Sequence, residues 1–191
     1  MHLEQQIAAA DAVLFGAGTL RAYGTTLRVT QPQLAGQRRK QNLALQPIHI
    51  VASSQGNIDR QLRFFQQPVP RWLLTTVAGA KQWQREFFEQ VLVCETADAQ
   101  GIDWTGAMAK IASMGLSRLA VLGGGEVVAA MLAADLVDEL WLTVCPLLLG
   151  GNTAPTPVGG AGFITHTAPR LELLSVHAIA SEVFLHYRRQ N

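Results

Sequence analysis

The chain has 191 residues, of which 49% are hydrophobic and 15% are charged, and its formal net charge is +1. This length predicts a single α/β domain over residues 1–191 with enough chain for a real core. The near-zero charge argues against binding to nucleic acid or to an acidic membrane surface by bulk electrostatics. The longest apolar run, residues 140–150, is broken by Thr143 and Pro146 and is too short to span a bilayer.

The cysteines and the start of the chain bear on the cellular compartment. Cys94 and Cys145 each lie in an apolar run that predicts a buried strand. Two such cysteines are typical of reduced thiols, and they exclude a disulfide framework. Residues 1–6 are polar and lack the basic-then-apolar layout of a signal peptide. We therefore expect a cytoplasmic protein.

Short apolar runs alternate with helical patterns along most of the chain, which is typical of a sheet covered by helices. Residues 2–11 (HLEQQIAAAD) predict a helix that leads into the first strand. Five runs bounded by glycine, proline or polar residues predict strands at residues 12–16, 48–53, 72–75, 91–94 and 119–122. Apolar stripes predict helices at residues 80–90, 106–115 and 126–136, the second with Gly115 as its C-cap.

The pattern changes after Asp138. Residues 139–149, 171–176 and 183–188 predict strands with no helix between them, which favours antiparallel strands at one edge of an otherwise parallel sheet. The fold class is therefore a three-layer α/β fold with a mixed, mostly parallel sheet. Residues 30–46 and 150–162 are predicted to be loops, and loops of that length are usually functional or mobile.

The sharpest motif is Gly123-Gly124-Gly125, which lies between a predicted strand and a predicted helix. Such a turn allows close backbone approach and aims N–H groups at whatever lies above the helix, which suits a pyrophosphate. A Walker loop is excluded because no Lys-Ser or Lys-Thr follows. The alternative is tight packing of strand on helix without a ligand. One glycine would serve that turn and three are entropically costly, so we favour the ligand.

A second glycine turn, residues 16–19 (GAGT), follows the first strand. It fails as a Rossmann fingerprint, because Arg21 occupies the third glycine's place and no Asp or Glu occurs from residue 12 to residue 58. An unneutralised basic stretch beside a glycine turn suits a phosphorylated ligand such as the 2′-phosphate of NADP. Taken alone, Arg38-Arg39-Lys40 is more typical of a solvated basic loop. The basic residues of this span are Arg21, Arg28, Arg38, Arg39 and Lys40.

Groups that could perform catalysis are scarce. The five histidines show no metal-ligand spacing, so no metal is expected. Ser53-Ser54 lacks the flanking glycines of a nucleophile elbow, and Asp138-Glu139 is more typical of a cap or an ion pair. An enzyme of this kind leaves the chemistry to a cofactor, and hydride transfer from a nicotinamide is the natural candidate. We assign no catalytic residue.

Two segments resemble a known family. Residues 119–151 (LAVLGGGEVVAAMLAADLVDELWLTVCPLLLGG) and residues 11–27 (DAVLFGAGTLRAYGTTL) are similar to the riboflavin-biosynthesis reductases, and LHYRR near the end is similar to their last strand. These are the C-terminal reductase domain of the bifunctional deaminase–reductases and its stand-alone relatives. The resemblance implies a dihydrofolate-reductase-type fold. It also implies reduction of the ribosylamino group of a pyrimidine ribose phosphate to a ribitylamino group with NADPH.

The resemblance also implies which residues form the site. Cofactor contacts are expected at the glycine turn and at Thr19 and Ser54, and Leu27 is expected on the side of a small-molecule substrate. Family members commonly form homodimers with the late leucine-rich strands and the Gly-Gly loop near the interface. The full set of predicted cofactor residues is Gly16, Thr19, Arg21, Tyr23, Ser54, Gly123, Gly124, Gly125, Glu126 and Val127.

The chain departs from the family pattern at three places. The family's Asp-Asp-Pro is replaced by residues 23–25 (Tyr-Gly-Thr), and the substrate-binding glutamate before the glycines is replaced by Leu122. Leucine accepts no hydrogen bond, and a polar group desolvated against it would lose about 1–3 kcal/mol. The family's first strand, with its Ser-x-Asp-Gly motif, is also missing before the first helix. Its loss would expose sheet edges and part of the nicotinamide pocket.

These departures leave three hypotheses open. The leading one is the NADPH-dependent pyrimidine reductase, or a reductase of another small heterocyclic substrate. The second is a non-catalytic relative that binds a dinucleotide or a phosphate, which Leu122 and the missing strand both favour. The third is a structural homodimer whose glycine turns serve packing alone.

Overall fold

Five parallel strands form the larger of two sheets in the computed structural model, which describes residues 2–83, 86–151, 154 and 156–190. The strands are β1 (Ala12–Gly16), β2 (Ile48–Ala52), β3 (Arg71–Thr75), β4 (Gln90–Val93), β5 (Leu119–Val121), β6 (Glu139–Val144), β7 (Arg170–Ile179) and β8 (Glu182–Gln190). The helices are α1 (His2–Ala9), α2 (Ala17–Tyr23), α3 (Pro32–Lys40), α4 (Val77–Ala80), α5 (Trp104–Ser113) and α6 (Gly125–Ala133).

The parallel sheet has the order β4-β3-β2-β1-β5 and is covered on both faces. On one face Val13, Phe15 and Val51 pack against residues of α1 and α2, including Ile7 and Leu20. Alternate residues of the same strands face α5 and α6 on the other side, in a cluster that contains Leu14, Ile50, Ile111 and Met131. Strands buried on both faces read as continuous apolar runs, which is why the sequence predicts each of them to within one residue. The three-layer α/β fold is therefore confirmed.

The C-terminal strands differ from the prediction in two respects. They form a separate antiparallel sheet of order β6-β8-β7 instead of an edge of the parallel sheet. The long strands β7 and β8 pair over nearly their whole length and are joined at a tight turn where Ala180 has φ +54°. The C-terminal strands therefore pair with one another and not with the parallel sheet. The first of these strands ends at Val144 and does not continue to residue 149.

The predicted helix over residues 80–90 is wrong. The described residues form the short helix α4, capped by the Thr76 hydroxyl, followed by turns up to β4; residues 84 and 85 lie outside the described residues. The apolar stripe that suggested a helix instead fills an aromatic cluster. The indole of Trp83 stacks on Phe65, and its Nε1 donates to the Gly56 carbonyl at 2.6 Å. The aromatic residues of this loop have the same spacing in the sequence as the apolar face of a helix.

The predicted loop over residues 30–46 contains helix α3, and one of its basic residues is not solvated. Pro32 opens the helix, where its missing N–H costs nothing. The Arg38 side chain is 1% exposed and donates to the carbonyls of Ala8, Ala10 and Ala44 at 2.9, 2.7 and 2.6 Å. Arg38 therefore ties α1 and the loop after α3 together, and the interpretation as a solvated basic loop holds only for its exposed neighbours.

A buried histidine makes stability depend on pH. His49 is 0% exposed, and its Nδ1 lies 3.0 Å from the Thr26 hydroxyl. Burial, helped by the positive charges of Arg28, Arg38 and Arg71, lowers its pKa from 6.5 to about 4. Because the folded-state pKa lies below the unfolded-state value, this contribution to stability is complete above pH 6.5 and is lost as the pH falls towards 4.

We expect the wild-type chain to lose about 2–3 kcal/mol through His49 between pH 7 and pH 4.5, because a tenfold change in proton affinity corresponds to about 1.4 kcal/mol. Urea unfolding of wild type and His49→Gln at both pH values measures this loss. The variant should show a smaller decrease. His177→Gln changes an exposed strand residue and serves as the control. Its free energy of unfolding should decrease between the two pH values by as much as that of the wild type. Equal decreases in all three proteins would contradict the assignment.

The cysteines are both free, but only Cys94 is buried as predicted; Cys145 is exposed just beyond β6. Cys145 follows β6 of the three-stranded sheet, in which none of the described strand residues is buried. In the part of the chain that the structure describes, no helix is long and apolar enough to cross a membrane. The same residues contain no cluster of three or more His, Cys, Asp or Glu side chains suited to a metal ion.

Candidate functional site

The candidate site lies where the chain changes direction across the parallel sheet. Strands β2, β3 and β4 follow one another on one side of β1, and the chain then returns to place β5 on its other side. After β1 the chain enters α2 on one face, and after β5 it enters α6 on the opposite face. In open α/β sheets the crevice at such a switch point, outside the carboxyl ends of the strands, is the usual place for a ligand.

The two predicted glycine turns meet at this switch point. The N–H of Gly16 donates to the Gly123 carbonyl at 3.0 Å. A Cβ on Gly16 would lie 3.0 Å from a methyl of Val127, and a Cβ on Gly124 would lie 3.0 Å from the Thr19 hydroxyl. Packing of one turn on the other therefore accounts for glycine at positions 16 and 124. The case for a ligand rests on what lies above the turns.

Helix α6 starts at this crevice without a side-chain cap. Its N-cap residue, Gly124, has no side chain to satisfy the first N–H groups, and α2 likewise starts at Gly16 without a side-chain cap. The N-terminus of a helix carries about half a positive charge together with unpaired N–H donors. The start of α6 therefore offers N–H groups to an anion, as the triple glycine predicts.

A later loop packs directly over the start of α6. The N–H of Gly159 donates to the Gly125 carbonyl at 3.0 Å, and the N–H of Gly160 donates to the Glu126 carboxylate at 3.0 Å. A Cβ on Gly125 would lie 2.8 Å from the Gly159 nitrogen, so the third glycine is required by this approach. Glu126, predicted as a cofactor contact, uses its side chain to hold the loop. Sequence patterns gave no sign of this contact.

The ends of β2 and β3 extend the same edge. The Thr75 hydroxyl donates to the Ser53 carbonyl at 2.6 Å, and the Thr76 hydroxyl donates to the Ser54 carbonyl at the same distance. Ser54 is exposed there, two residues after the end of β2, the strand next to β1. The pair Thr75-Thr76 escaped the sequence analysis. A Thr-Thr pair at the end of a buried strand was the only signal.

Arg21 and Tyr23 take different positions along α2. The Arg21 guanidinium donates to the Asn57 carbonyl at 3.0 Å, which brings a positive charge to the loop that follows Ser54. The Tyr23 ring is 75% exposed at the other end of the helix. Tyr23 is seven positions after Gly16, which is about 10 Å along a helix at 1.5 Å per residue. A Cβ on Gly18 would lie 3.9 Å from the same guanidinium group, so the structure places Arg21 between the first glycine turn and the loop after β2 and leaves Tyr23 apart from them.

Leu27, predicted on the substrate side, lines a cleft of about 680 Å³. The cleft runs between α1, the segment 25–30 and the segment 63–68, and its lining includes Arg28 and Arg63. Leu122 is partly buried against the cluster that contains Ile7, another lining residue. The cleft and Leu122 thus lie on the same face of the sheet. The cleft and its arginines combine distant segments, so sequence patterns did not identify them.

The cleft has one acidic side chain, and it is already engaged. The Glu4 carboxylate accepts from the N–H and hydroxyl of Thr30 and from the N–H and side-chain amide of Gln31, at 2.5–3.1 Å. These bonds lower its pKa from 4.5 to about 2, the bond from the Gln31 N–H having the largest effect. Glu4 therefore fixes the segment 25–30 against α1 and remains charged at neutral pH.

A family model of the RibD C-terminal domain matches residues 1–185. The chain belongs to this family. The 2,5-diamino-6-ribosylamino-4(3H)-pyrimidinone 5′-phosphate reductase of Archaeoglobus fulgidus is 24% identical over 157 residues, covering 82% of this chain and 71% of that protein. RibD of Escherichia coli is 27% identical over 183 residues, covering 94% and 49%. The chain thus spans about half the length of the RibD relatives it matches.

Solved structures agree on the fold. A pyrimidine reductase-like protein from Corynebacterium diphtheriae superposes with a TM-score of 0.79 at 22% identity, covering 99% of this chain and 79% of that one. The riboflavin biosynthesis reductase of Saccharomyces cerevisiae gives 0.74 at 17% identity, with 99% and 79% covered. The chain therefore has the fold of the RibD-type reductases, the dihydrofolate-reductase type that the resemblance implies. It is a member of a family of oxidoreductases.

Proposed function

We propose that the chain is an NADPH-dependent reductase of the riboflavin pathway. Its reaction converts the ribosylamino group of a pyrimidine ribose phosphate into a ribitylamino group. Relatives named as reductases of such a compound support the substrate class. The observation that carries the proposal is the meeting of two glycine turns at the switch point, beneath the uncapped start of α6.

The residues at the switch point fit a dinucleotide. Backbone N–H groups at residues 123–126 would hold its pyrophosphate, with Thr19 and Ser54 beside them at the same edge, whereas the Val127 N–H already donates to the Gly124 carbonyl at 3.0 Å. Arg21 would meet the 2′-phosphate that distinguishes NADPH from NADH. When bound, the nicotinamide supplies the hydride. The chain's own part is to bind and orient; we assign no general acid.

A thermal melt with NADPH, and with NADH as the comparison, tests this site. NADPH at 100 times its dissociation constant adds about 2.7 kcal/mol, which raises Tm by roughly 5–10 °C for a domain of this size. NADH should raise it far less. Arg21→Gln should remove most of the difference between the two cofactors, whereas Arg39→Gln, on the exposed face of α3, should not. Equal shifts with both cofactors would contradict the role of Arg21, and no shift with either would contradict the cofactor site.

Leu122 favours a second candidate, a relative that binds a dinucleotide without turnover. Its side chain packs against the core cluster and offers no hydrogen-bond acceptor where the family has a glutamate. The two candidates differ in substrate-dependent oxidation of NADPH. A reductase oxidises NADPH when the pyrimidine ribose phosphate is added, and a binding protein shows the Tm shift alone.

We also propose that the chain forms a homodimer through one face of the three-stranded sheet. This apolar face includes Val144, Leu173 and Val176, which are 48–50% exposed. Exposed apolar patches of this kind usually mark an interaction surface. Its members on the three strands are Leu140, Leu142, Val144, Leu173, Val176, Ala178, Val183, Leu185 and Tyr187.

Sedimentation of wild type, Val176→Glu and His177→Glu tests the dimer. Val176 lies on the apolar face, and the adjacent His177 lies on the opposite face of the same strand. We expect the wild type and His177→Glu to sediment as dimers and Val176→Glu as a monomer. A monomeric wild type would contradict the proposal.

The remaining proposals concern location and partners. Two free cysteines with no disulfide between them suit the cytoplasm, which we propose as the compartment. Besides a second copy, the proposed partners are the cofactor and a small-molecule substrate, with neither nucleic acid nor membrane. The formal net charge of +1 supports this.

A further inference from the structure

A second cavity lies at the opposite edge of the parallel sheet from the glycine turns. It has a volume of about 270 Å³ and opens between α1, α3 and the residue that precedes β5. Three of its lining residues belong to α1, and none of them lines the cleft of Leu27. The length of β1 separates this cavity from the glycine turns, about 16 Å at 3.3 Å per residue. It is therefore distinct from both parts of the candidate site.

The cavity has an apolar floor and a polar rim. Ala8 and Leu34 are buried at its floor, and the partly buried Ala9 lies beside them. The rim consists of four exposed polar side chains, three carboxamides and one guanidinium group, which belong to Gln5, Gln37, Gln41 and Arg118. Among the described residues, none of these four side chains has a hydrogen-bond partner. Their donors and acceptors are therefore available to a ligand.

The positive charge of Arg118 is not compensated. The cavity has no acidic lining residue, and Arg118 forms no ion pair within the described part of the chain. The nearby Asp11 carboxylate accepts hydrogen bonds from the Ser117 N–H and hydroxyl and from the Arg118 N–H, at 2.8–3.0 Å. Its charge also interacts with that of the buried Arg38. Asp11 thus fixes the backbone of Arg118, whose guanidinium group can meet a second carboxylate.

We propose that this cavity binds a small carboxylate with a compact apolar body. A guanidinium group matches a carboxylate in charge and in its paired hydrogen bonds. The carboxamides can donate to and accept from other polar groups of the ligand, while Ala8, Ala9 and Leu34 cover its apolar part. The cavity is slightly smaller than the sites of about 300–1,000 Å³ that take drug-sized ligands, so a single ring with its substituents fills it. The proposal does not depend on the proposed reductase activity.

Titration of the full chain with benzoate and with benzamide, followed by ¹H–¹⁵N NMR, tests the site. The two probes share their shape and differ in charge. We expect benzoate to shift the side-chain amide signals of Gln37 and Gln41 and to bind at least about tenfold more tightly than benzamide. Arg118→Gln, at an exposed position, should weaken benzoate about tenfold and leave benzamide unchanged. Arg39→Gln removes the same charge outside the cavity and should leave both affinities unchanged.

A second variant tests the volume of the cavity without altering its charge. Ala9→Leu adds bulk beside the floor and should weaken both probes. The proposal would be overturned if benzoate did not bind the wild type, if the two probes bound equally, or if neither Arg118→Gln nor Ala9→Leu weakened benzoate. Saturating NADPH should leave the affinity for benzoate unchanged. Competition between the two would place benzoate at the switch point and would also overturn the proposal.

Discussion

Gly79→Ala is expected to lower the free energy of unfolding by about 3 kcal/mol, or Tm by roughly 6–12 °C. A Cβ at this position would lie 2.0 Å from the Thr75 hydroxyl oxygen and 2.5 Å from the Ser54 carbonyl oxygen. The second of these is a backbone atom, so relief of the clash requires the segment after β2 to move. Because Ser54 lies beside the candidate cofactor site, the variant should also weaken NADPH binding. Chemical denaturation and an NADPH titration measure the two effects.

Gly36→Ala is the matched control. Gly36 lies within α3, and a Cβ there would meet nothing within 4 Å. The same substitution should therefore stabilise the chain by about 0.5–1 kcal/mol, because alanine is the better helix former and restricts the unfolded chain. If Gly79→Ala were as stable as the wild type, the close approach of α4 to Ser54 would not exist in solution.

Arg38→Met is expected to lower the free energy of unfolding by about 3–5 kcal/mol. The guanidinium group is buried and donates to three carbonyl groups, which methionine would leave without their partner. Methionine occupies a similar volume, so the loss reports the hydrogen bonds more than a cavity. Urea unfolding gives the value directly.

The neighbouring Arg39→Met tests whether charge alone matters. Arg39 is exposed on the same helix, so its replacement should change stability by less than about 0.5 kcal/mol. A comparable loss in both variants would show that net charge, not the three carbonyl contacts of Arg38, stabilises this corner of the fold.

The sequence was most informative where one physical cause acts alone. Strands β1 to β5 are apolar because helices cover both faces of most of the sheet, so their positions could be predicted to within one residue. Helix α3 could not be predicted, since it is polar along most of its length and is held by the contacts of Arg38. The helix predicted from the stripe of Trp83, Phe87 and Phe88 was wrong for the opposite reason. Its apolar spacing serves a loop-bound aromatic cluster.

The candidate site likewise has parts that local sequence motifs reveal and parts that depend on residues distant in the chain. The glycine turns at residues 16–19 and 123–125 were visible as motifs, because each lies directly at the end of a run that predicts a strand. Their meeting depends on β5 pairing with β1, a choice among strand orders that local patterns do not encode. The grouping of Arg28 with Arg63, and the contact of Gly160 with Glu126, also join residues distant in the chain.

The separation of the two sheets has a consequence for how the chain opens. In the described part of the chain the sheets share no strand, and no residue after Met131 is buried. Opening the antiparallel sheet exposes little additional apolar surface, so it costs much less free energy than opening the parallel sheet. Amide hydrogens of β6, β7 and β8 should therefore exchange with solvent by sub-global opening. Those of β1, β2 and β3 should exchange only when the whole chain unfolds. The last third of the chain is then its own cooperative unit, and a second copy docked on it would slow that exchange.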